Sequence, residues 1–148
     1  MRAPEALEGV VKGLHHVAIA VTSLADARKA YEGALGLGAT EPEHVPDQKV
    51  NVLVLYAGEQ RIELVEPASP DSPVSAFLEK RGPGIHHLAW KVDDCARAIA
   101  ALKAKGLRMI DDAPRPGSHR TTIAFVHPRS TGGVLMELVQ DPPGGGHA

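Results

Sequence analysis

Two tandem histidine pairs and two glutamates recur at matched places in the two halves of the chain. The pairs lie at positions 15–16 and 86–87, each at the start of an apolar stretch, and Glu63 and Glu137 each lie in a later one. One imidazole and one carboxylate bind a divalent cation weakly, whereas two copies that face each other supply two of each. The duplication therefore predicts one metal site to which both halves contribute.

Alternation along a strand selects one histidine of each pair, because successive side chains leave the strand on opposite faces. His16 shares its face with two alanines, whereas His15 shares the other face with larger aliphatic residues, and His87 and His86 repeat this pattern. A face of small side chains leaves room for a cavity, while a bulky face suits packing under a helix. We therefore predict that His16 and His87 are ligands, and that His15 and His86 are structural or hydrogen-bonded to a ligand.

The two glutamates complete the predicted site by the same reasoning. Glu63 and Glu137 each lie between two larger apolar residues, so the carboxylate faces the cavity when its neighbours face the core. For any one of the four residues, the alternative is a partly buried polar side chain held by backbone hydrogen bonds. Four such residues at matched positions of two repeats favour a metal site.

The amino-acid composition limits the expected binding partners and the expected cellular compartment. The chain has 148 residues, with 16 Lys and Arg against 18 Asp and Glu and a formal net charge of -2, so neither nucleic acid nor an anionic membrane is an expected partner. No apolar run is long enough to span a bilayer. Cys95 is the single cysteine, which excludes an intrachain disulfide and fits a reducing compartment. We expect a cytoplasmic protein that acts on small molecules, with Cys95 buried and with His147 outside the metal site.

Apolar periodicity divides the single domain, 1–148, into two βαβββ modules at 14–67 and 85–140, joined by a linker at 68–84 that contains a short helix at 74–80. The first module has predicted strands at 14–22, 38–45, 49–57 and 60–66 and a helix at about 24–35. The second has a strand at 85–92, a helix at about 94–105, a strand at 107–111, a loop at 112–120 and strands at 121–127 and 133–140. Pairing of the two open sheets predicts an α+β fold with a cupped, barrel-like mixed sheet, whose cup is the expected binding site.

Several segments together carry a family resemblance. They are residues 16–21, 71–73, 77–78, 84–89, 127–128 and 132–138. Over about residues 14–140 the chain resembles the methylmalonyl-CoA epimerases of the vicinal-oxygen-chelate (glyoxalase/bleomycin resistance/dioxygenase) superfamily. The resemblance implies a homodimer, an acyl-CoA substrate and a divalent metal, with cobalt favoured and nickel, manganese and zinc as alternatives. The implied ligands match His16, Glu63, His87 and Glu137.

One position departs from the family's pattern. Some members carry Gln where this chain has Glu63, and they use a separate Glu as the base at a position that here falls at Val52, which cannot carry a proton. Epimerisation next to a thioester needs a proton removed from one face of the carbon and another returned to the opposite face. We interpret Glu63 as the compensating carboxylate, and we expect Glu137 and Glu63 to serve both as ligands and as the acid–base pair.

A loop at 114–120 resembles the family's glycine-containing substrate loop. Arg115, Ser118, His119 and Arg120 would be available there to contact a carboxylate or the phosphates of CoA. Lys91 lies on the cavity face by strand alternation and is a further candidate. The alternative is a solvated turn whose proline and glycine residues only shape the backbone.

Other functions remain open from the residues alone. The His-Glu-His-Glu set equally suits a lactoylglutathione lyase similar to glyoxalase I. A metal-free small-molecule binding or resistance protein of the same fold is disfavoured because all four ligand positions are filled. Extradiol dioxygenases use two His and one carboxylate on iron, and a fourth ligand at Glu63 would occupy a position that this chemistry needs open.

Overall fold

The computed structural model describes residues 9–144 of the chain. These residues contain nine β-strands and three α-helices. The strands are β1 Gly13–Ala20, β2 Gly38–Ala39, β3 Glu43–Val45, β4 Val50–Ala57, β5 Gln60–Pro67, β6 Gly84–Lys91, β7 Arg115–Pro116, β8 Thr122–Val126 and β9 Met136–Gln140. The helices are α1 Leu24–Arg28, α2 Pro73–Arg81 and α3 Cys95–Ala104. His147 lies outside the described residues. Within them, no helix is long and apolar enough to cross a membrane.

All nine strands join one curled, mixed sheet, as the predicted α+β fold requires. The strand order is β2-β4-β5-β1-β6-β9-β8-β7, and β3 also pairs with β4. Within the halves, β1 pairs parallel with β5 and β6 pairs parallel with β9, while the antiparallel β1–β6 pair joins the two halves. The order is therefore nearly symmetric about the β1–β6 pair.

The register of these pairs brings the predicted ligands together. Glu63 pairs with Ala18, which follows the predicted ligand His16 by two residues. In the same way, Glu137 pairs with Ala89, two residues after His87. Across the β1–β6 pair, each of these alanines lies opposite the ligand histidine of the other half. Because side chains two residues apart share a face, all four polar side chains point to one side of the sheet at its centre.

Two β-bulges interrupt the β1–β6 pair, at His15 in β1 and at His86 in β6. The residues on either side keep regular partners, whereas the extra residue at a bulge has none and its side chain is re-aimed. Strict alternation therefore fails at these two positions. The prediction that His15 shares a face with the aliphatic residues of β1 is wrong, because its ring lies against His16.

Capping and apolar packing fix the helices to the sheet. Ser23 and Asp94 cap α1 and α3, and each side-chain oxygen accepts a hydrogen bond from the backbone N–H three residues later. Leu24 of α1 packs into a leucine-rich cluster around Leu53. Cys95 of α3 is fully buried, and burial raises the pKa of its thiol to about 11, as expected for a core residue rather than a nucleophile.

Some predicted elements of the first half are shorter or differently wound. The helix predicted at 24–35 is α-helical only to Arg28 and continues as a π-helix over Lys29–Ala34, in which the N–H of Leu35 donates to the carbonyl of Ala30. The strand predicted at 38–45 is split into β2 and β3 around Pro42, which has no N–H for a strand ladder.

Two elements of the second half also differ. The strand predicted at 107–111 is reduced to a single bridge between Met109 and Val126, and the loop predicted at 112–120 contains the short β7 and a helical turn at Ser118–Arg120. The last strand begins at Met136 rather than at 133, because Gly132 and Gly133 adopt left-handed φ angles of 71° and 96° that end regular strand geometry.

Truncation of a core leucine should separate packing from surface effects. We expect Leu53→Ala, at a fully buried position, to lower the free energy of unfolding by about 2–5 kcal/mol, because it leaves a cavity in the leucine-rich cluster. Leu35→Ala is the matched control, since Leu35 is 69% exposed, and it should cost under about 0.5 kcal/mol. Urea denaturation measures both, and equal losses would contradict this account of the core.

Candidate metal centre

Four polar side chains meet in the middle of the sheet, and each is at most 5% exposed. Glu137 Oε1 lies 3.2 Å from His87 Nε2 and 3.3 Å from His16 Nε2. On the other side of the His16 ring, Nδ1 lies 3.2 Å from Glu63 Oε2. The structure therefore brings together the four residues that the sequence selected, and it places the two carboxylates at opposite nitrogens of one imidazole.

The four donors are not equally close. His16, His87 and Glu137 each offer an atom within 4.8 Å of the other two, which is close enough to share one cation. Glu63 forms such a group with His15 and His16 instead. The most compact donor set is therefore two imidazoles and one carboxylate, with Glu63 attached through His16.

The residues fit a divalent metal. The Nε2 atom of His16 is buried and has no hydrogen bond within the described residues, which leaves a nitrogen available for coordination. A cavity of about 20 Å³ lies among the four side chains, enough for one water-sized particle. Imidazole and carboxylate donors together suit zinc, cobalt, nickel and manganese.

The charges of the site attract a cation. Burial alone would lower the pKa of His16, but the nearby carboxylates Glu63 and Glu137 outweigh it, so this pKa is raised above the ordinary value. Burial alone would raise the pKa of Glu137, but His87 and His16 hold it well below the usual range. Glu137 is therefore ionised, and the carboxylates stabilise positive charge between them.

The outer histidines contact the inner ones directly. His15 Nδ1 lies 2.8 Å from His16 Nδ1, and His86 Nδ1 lies 2.8 Å from His87 Nδ1. His15 Nε2 also lies 2.8 Å from Asp141 Oδ1. Burial, followed by the neighbouring His87, lowers the pKa of His86 to about 4, so its ring is neutral near pH 7. These contacts agree with the supporting role that the sequence suggested for both residues.

Arg61 is a buried cation beside the site that the sequence reasoning missed. Its side chain is 7% exposed, and its Nε lies 3.7 Å from Glu63 Oε2. The two terminal nitrogens of its guanidinium lie 3.3 Å from His15 Nε2 and 3.4 Å from His119 Nδ1. The signal was present in the sequence, because Arg61 precedes Glu63 by two residues in one strand and therefore shares its face.

The predicted substrate loop reaches the site only in part. Ser118 is buried and lines the small cavity. His119 has a left-handed φ of 52°, and its backbone N–H donates to Glu43 Oε1 at 2.8 Å. Arg120 is exposed. Val52, where the family pattern would place a base, also lines the small cavity.

A larger cavity of about 310 Å³ adjoins the small one and shares Gln48, Val65 and His87 with it. Arg115 lines this cavity, and its guanidinium donates to Asp47 and Asp111. Lys91, in contrast, is absent from the lining of both cavities. Its Nζ lies 3.9 Å from Asp141, and its side chain is half exposed. A cavity of this size suits part of an extended small molecule.

Most of the chain matches a known superfamily and named relatives. Residues 15–125 match the glyoxalase/bleomycin resistance protein/dioxygenase superfamily. An uncharacterised protein of Bacillus subtilis is 46% identical over 90% of this chain and 95% of its own length. The mitochondrial methylmalonyl-CoA epimerase of Bos taurus is 38% identical over 86% of this chain and 73% of its own length.

Solved structures of similar proteins share the same fold. The methylmalonyl-CoA epimerase of Mycobacterium tuberculosis superimposes with a TM-score of 0.87 at 36% identity, covering 97% of this chain and 94% of the other. A methylmalonyl-CoA epimerase in complex with methylmalonyl-CoA and NH4+ superimposes with a TM-score of 0.84 at 31% identity, covering 90% of this chain and 96% of the other.

Metal titration tests the donor set directly. We expect chelator-stripped protein to bind one Co2+ or Zn2+ per chain and to melt at a higher temperature once loaded, because the ion binds only the folded site. His16→Ala should weaken the dissociation constant at least about tenfold, since it removes a donor from the compact set. His44→Ala, at an exposed position, is the control and should bind like the unmodified protein. Equal affinity in both variants would exclude His16 as a ligand.

Proposed function

Because the chain belongs to the methylmalonyl-CoA epimerase family of the glyoxalase/bleomycin resistance protein/dioxygenase superfamily, we propose that it epimerises methylmalonyl-CoA with the help of a bound divalent metal. The family resemblance noted in the sequence is thereby confirmed. The observation that carries the proposal is the pair of buried carboxylates at opposite nitrogens of His16, next to a cavity of about 310 Å³.

His16, His87 and Glu137 would hold the metal, with Glu63 as the fourth residue of the set. When bound, the metal supplies a Lewis acid that stabilises negative charge as it develops on the substrate oxygens. Cobalt is the favoured ion, and nickel, manganese and zinc suit the same donors. The buried Nε2 of His16, which lies near Glu137 without a hydrogen bond to it, and the lowered pKa of Glu137 support this assignment.

The carbon that reacts lies between a thioester and a carboxylate. One residue of the site, in its carboxylate form, removes the proton from one face, and the other residue, in its protonated carboxylic acid form, gives a proton to the opposite face, so that the two residues end with their protonation states reversed. We assign these roles to Glu137 and Glu63, which exchange them for the two epimers of the substrate. The apolar side chain of Val52 leaves the acid–base work to these two residues.

Arg61 would support Glu63 in this role. Its buried guanidinium lies close to the carboxylate and also contacts the ring of His119 in the substrate loop. Electrostatic attraction to this guanidinium holds the side chain of Glu63 in place, and the contact with His119 joins the loop to β5. Arg61 thus links an acid–base residue to the predicted substrate loop.

The larger cavity would hold the acyl-CoA chain. Its lining is largely apolar, and Arg115 at its edge offers a cation for a carboxylate or phosphate. Ser118, which lines the small cavity, would contact the reacting end of the substrate, and His119 and Arg120 would flank it. The solved epimerase complex with methylmalonyl-CoA, at 31% identity, supports this class of ligand.

A homodimer is the assembly we propose. The outer face of the β1–β6 pair carries apolar residues that pair across the strands, Leu14 with Trp90 and Ile19 with Ile85. Leu14 is 52% exposed and Ile85 is 65% exposed, so this face offers apolar surface to a second copy of the chain. We also propose a cytoplasmic location, on the single buried cysteine and the balanced charge.

Deuterium uptake into methylmalonyl-CoA in heavy water tests the reaction. We expect cobalt-loaded protein to exchange the α-hydrogen and chelated protein not to, with the exchange followed by mass spectrometry. Glu63→Gln should lower the exchange rate by at least about 100-fold while metal stays bound, because an amide cannot carry the proton. Full exchange in this variant would exclude Glu63 as an acid–base residue.

Two controls locate a failure of this experiment. Glu137→Gln should also abolish exchange. Leu35→Ala changes an exposed apolar side chain that cannot carry a proton, so this variant should exchange at the normal rate. If metal-loaded protein binds its ion but exchanges nothing, epimerisation is excluded. The glutathione hemithioacetal of a lactoylglutathione lyase is then the next substrate to try.

Light scattering coupled to gel filtration measures the oligomeric state. We expect a mass near twice that of the 15.6 kDa chain, and a shift towards the single-chain mass for Ile85→Asp, because a charge on the apolar face opposes association. Leu35→Asp places the same charge on another exposed leucine and should leave the mass unchanged. A single-chain mass for the unmodified protein would refute the dimer.

A further inference from the structure

The two outer histidines occupy equivalent places but have different surroundings. His15 and His86 are each the extra residue of a β-bulge, and each directs Nδ1 at the Nδ1 of the adjoining ligand histidine, at 2.8 Å. A nitrogen–nitrogen contact of this length requires that one ring donates a proton and that the other accepts it. The position of one proton therefore fixes the position of the next.

The ligand histidines determine which ring donates. His16 and His87 both turn Nε2 towards Glu137, at 3.3 and 3.2 Å, so Nε2 is the nitrogen that would bind the metal. A neutral imidazole that coordinates through Nε2 carries its proton on Nδ1. The Nδ1 atoms of His15 and His86 must then accept, since two N–H groups cannot point at each other. Each outer ring consequently carries its own proton on Nε2.

The two outer N–H groups end in different environments. His15 Nε2 lies 2.8 Å from Asp141 Oδ1, so its proton has an acceptor in the protein. Asp141 stands four residues after Glu137, and the residue four after Glu63 is Pro67, which has no polar side chain. The first half therefore lacks the carboxylate that would be the equivalent partner of His86.

His86 faces the larger cavity instead. It lines the space of about 310 Å³, and its Nε2 makes no hydrogen bond with any of the residues described. The ring is held edge-on against Phe77, with centroids 4.9 Å apart, and against His87. Its orientation is thus fixed by packing on one side and by the His87 contact on the other.

We propose that His86 is a substrate-binding residue whose Nε2–H donates a hydrogen bond to a carbonyl oxygen of the acyl-CoA chain in the larger cavity. An N–H group of fixed direction suits a carbonyl acceptor such as an amide or thioester oxygen. The inference rests on the proposed function for the identity of the substrate and for the metal. The proposal adds one substrate contact to that function. Metal binding by His87 would fix the proton of His86 on Nε2, the nitrogen that would donate to the substrate.

Two amide substitutions distinguish the roles of the two ring nitrogens of His86. Asparagine places an amide near the position of Nδ1, so His86→Asn keeps an acceptor for His87 and loses the donor towards the cavity. Glutamine places an amide nitrogen near the position of Nε2, so His86→Gln keeps the donor and loses the acceptor. His127→Asn is the matched control, because its side chain caps an exposed turn and asparagine can do the same.

We expect one variant to weaken mainly substrate binding and the other to weaken mainly Zn2+ binding. For His86→Asn we expect affinity for the equilibrium mixture of methylmalonyl-CoA epimers to fall about 5- to 15-fold, with Zn2+ affinity within about threefold of the unmodified protein. For His86→Gln we expect Zn2+ affinity to fall about 10- to 100-fold, and substrate affinity at saturating Zn2+ to change less than in His86→Asn. Substrate affinity in His86→Asn equal to that of the His127→Asn control would overturn the proposal.

Nitrogen NMR of the zinc-loaded protein tests the proton position without any substrate. We expect the ring nitrogen shifts and couplings of His86 to report a protonated Nε2 and an unprotonated Nδ1, and a protonated Nδ1 would overturn the proposal. If the unmodified protein fails to bind methylmalonyl-CoA, the proposed function fails and the substrate contact fails with it. The NMR result still decides separately whether the His87 contact fixes the proton of His86.

Discussion

The antiparallel pairing of β1 with β6 is the constraint on which the rest of the structure depends. It joins the two halves, and its register sets the predicted ligand histidine of each strand opposite an alanine of the other. The small alanine side chains leave the space that the four polar groups share. A shift of the pairing by one residue would turn the histidines to the opposite face and separate them from the glutamates, because side chains alternate with a period of two.

Burying this many ionisable groups is costly unless they are paired, and here each one is. Glu137 lies between two imidazoles, and Glu63 lies between His16 and the guanidinium of Arg61. The attraction that raises the pKa of His16 is the attraction that would favour a divalent cation at the same place. The site is thus suited to hold positive charge, as the proposed binding of a divalent metal requires.

The internal symmetry brings the four candidate donors together, and departures from the symmetry give the two halves different surroundings. Asp141 holds the outer histidine of the first half, whereas Pro67 at the equivalent place leaves His86 directed to a cavity. The loop that carries Ser118 is joined to the first half through contacts of His119 with Glu43 and Arg61. A duplicated fold can therefore supply matched candidate donors and still surround them with two different environments.

The amino-acid sequence by itself determined those features of the fold and of the candidate site that depend on local periodicity. Alternation within strands and the duplication selected His16, Glu63, His87 and Glu137, and apolar spacing predicted most of the strands and helices. Local periodicity is readable because a side chain's face depends only on its neighbours in the chain.

Only the tertiary structure decided what depends on pairing between distant segments. The bulges at His15 and His86 and the loss of the strand at 107–111 follow from how strands pair, which no local pattern encodes. The approach of Asp141 to His15 joins residues from the two ends of the domain. The placement of Arg61 and His86 relative to the two cavities likewise required the folded sheet, because cavities arise between elements that are far apart in sequence.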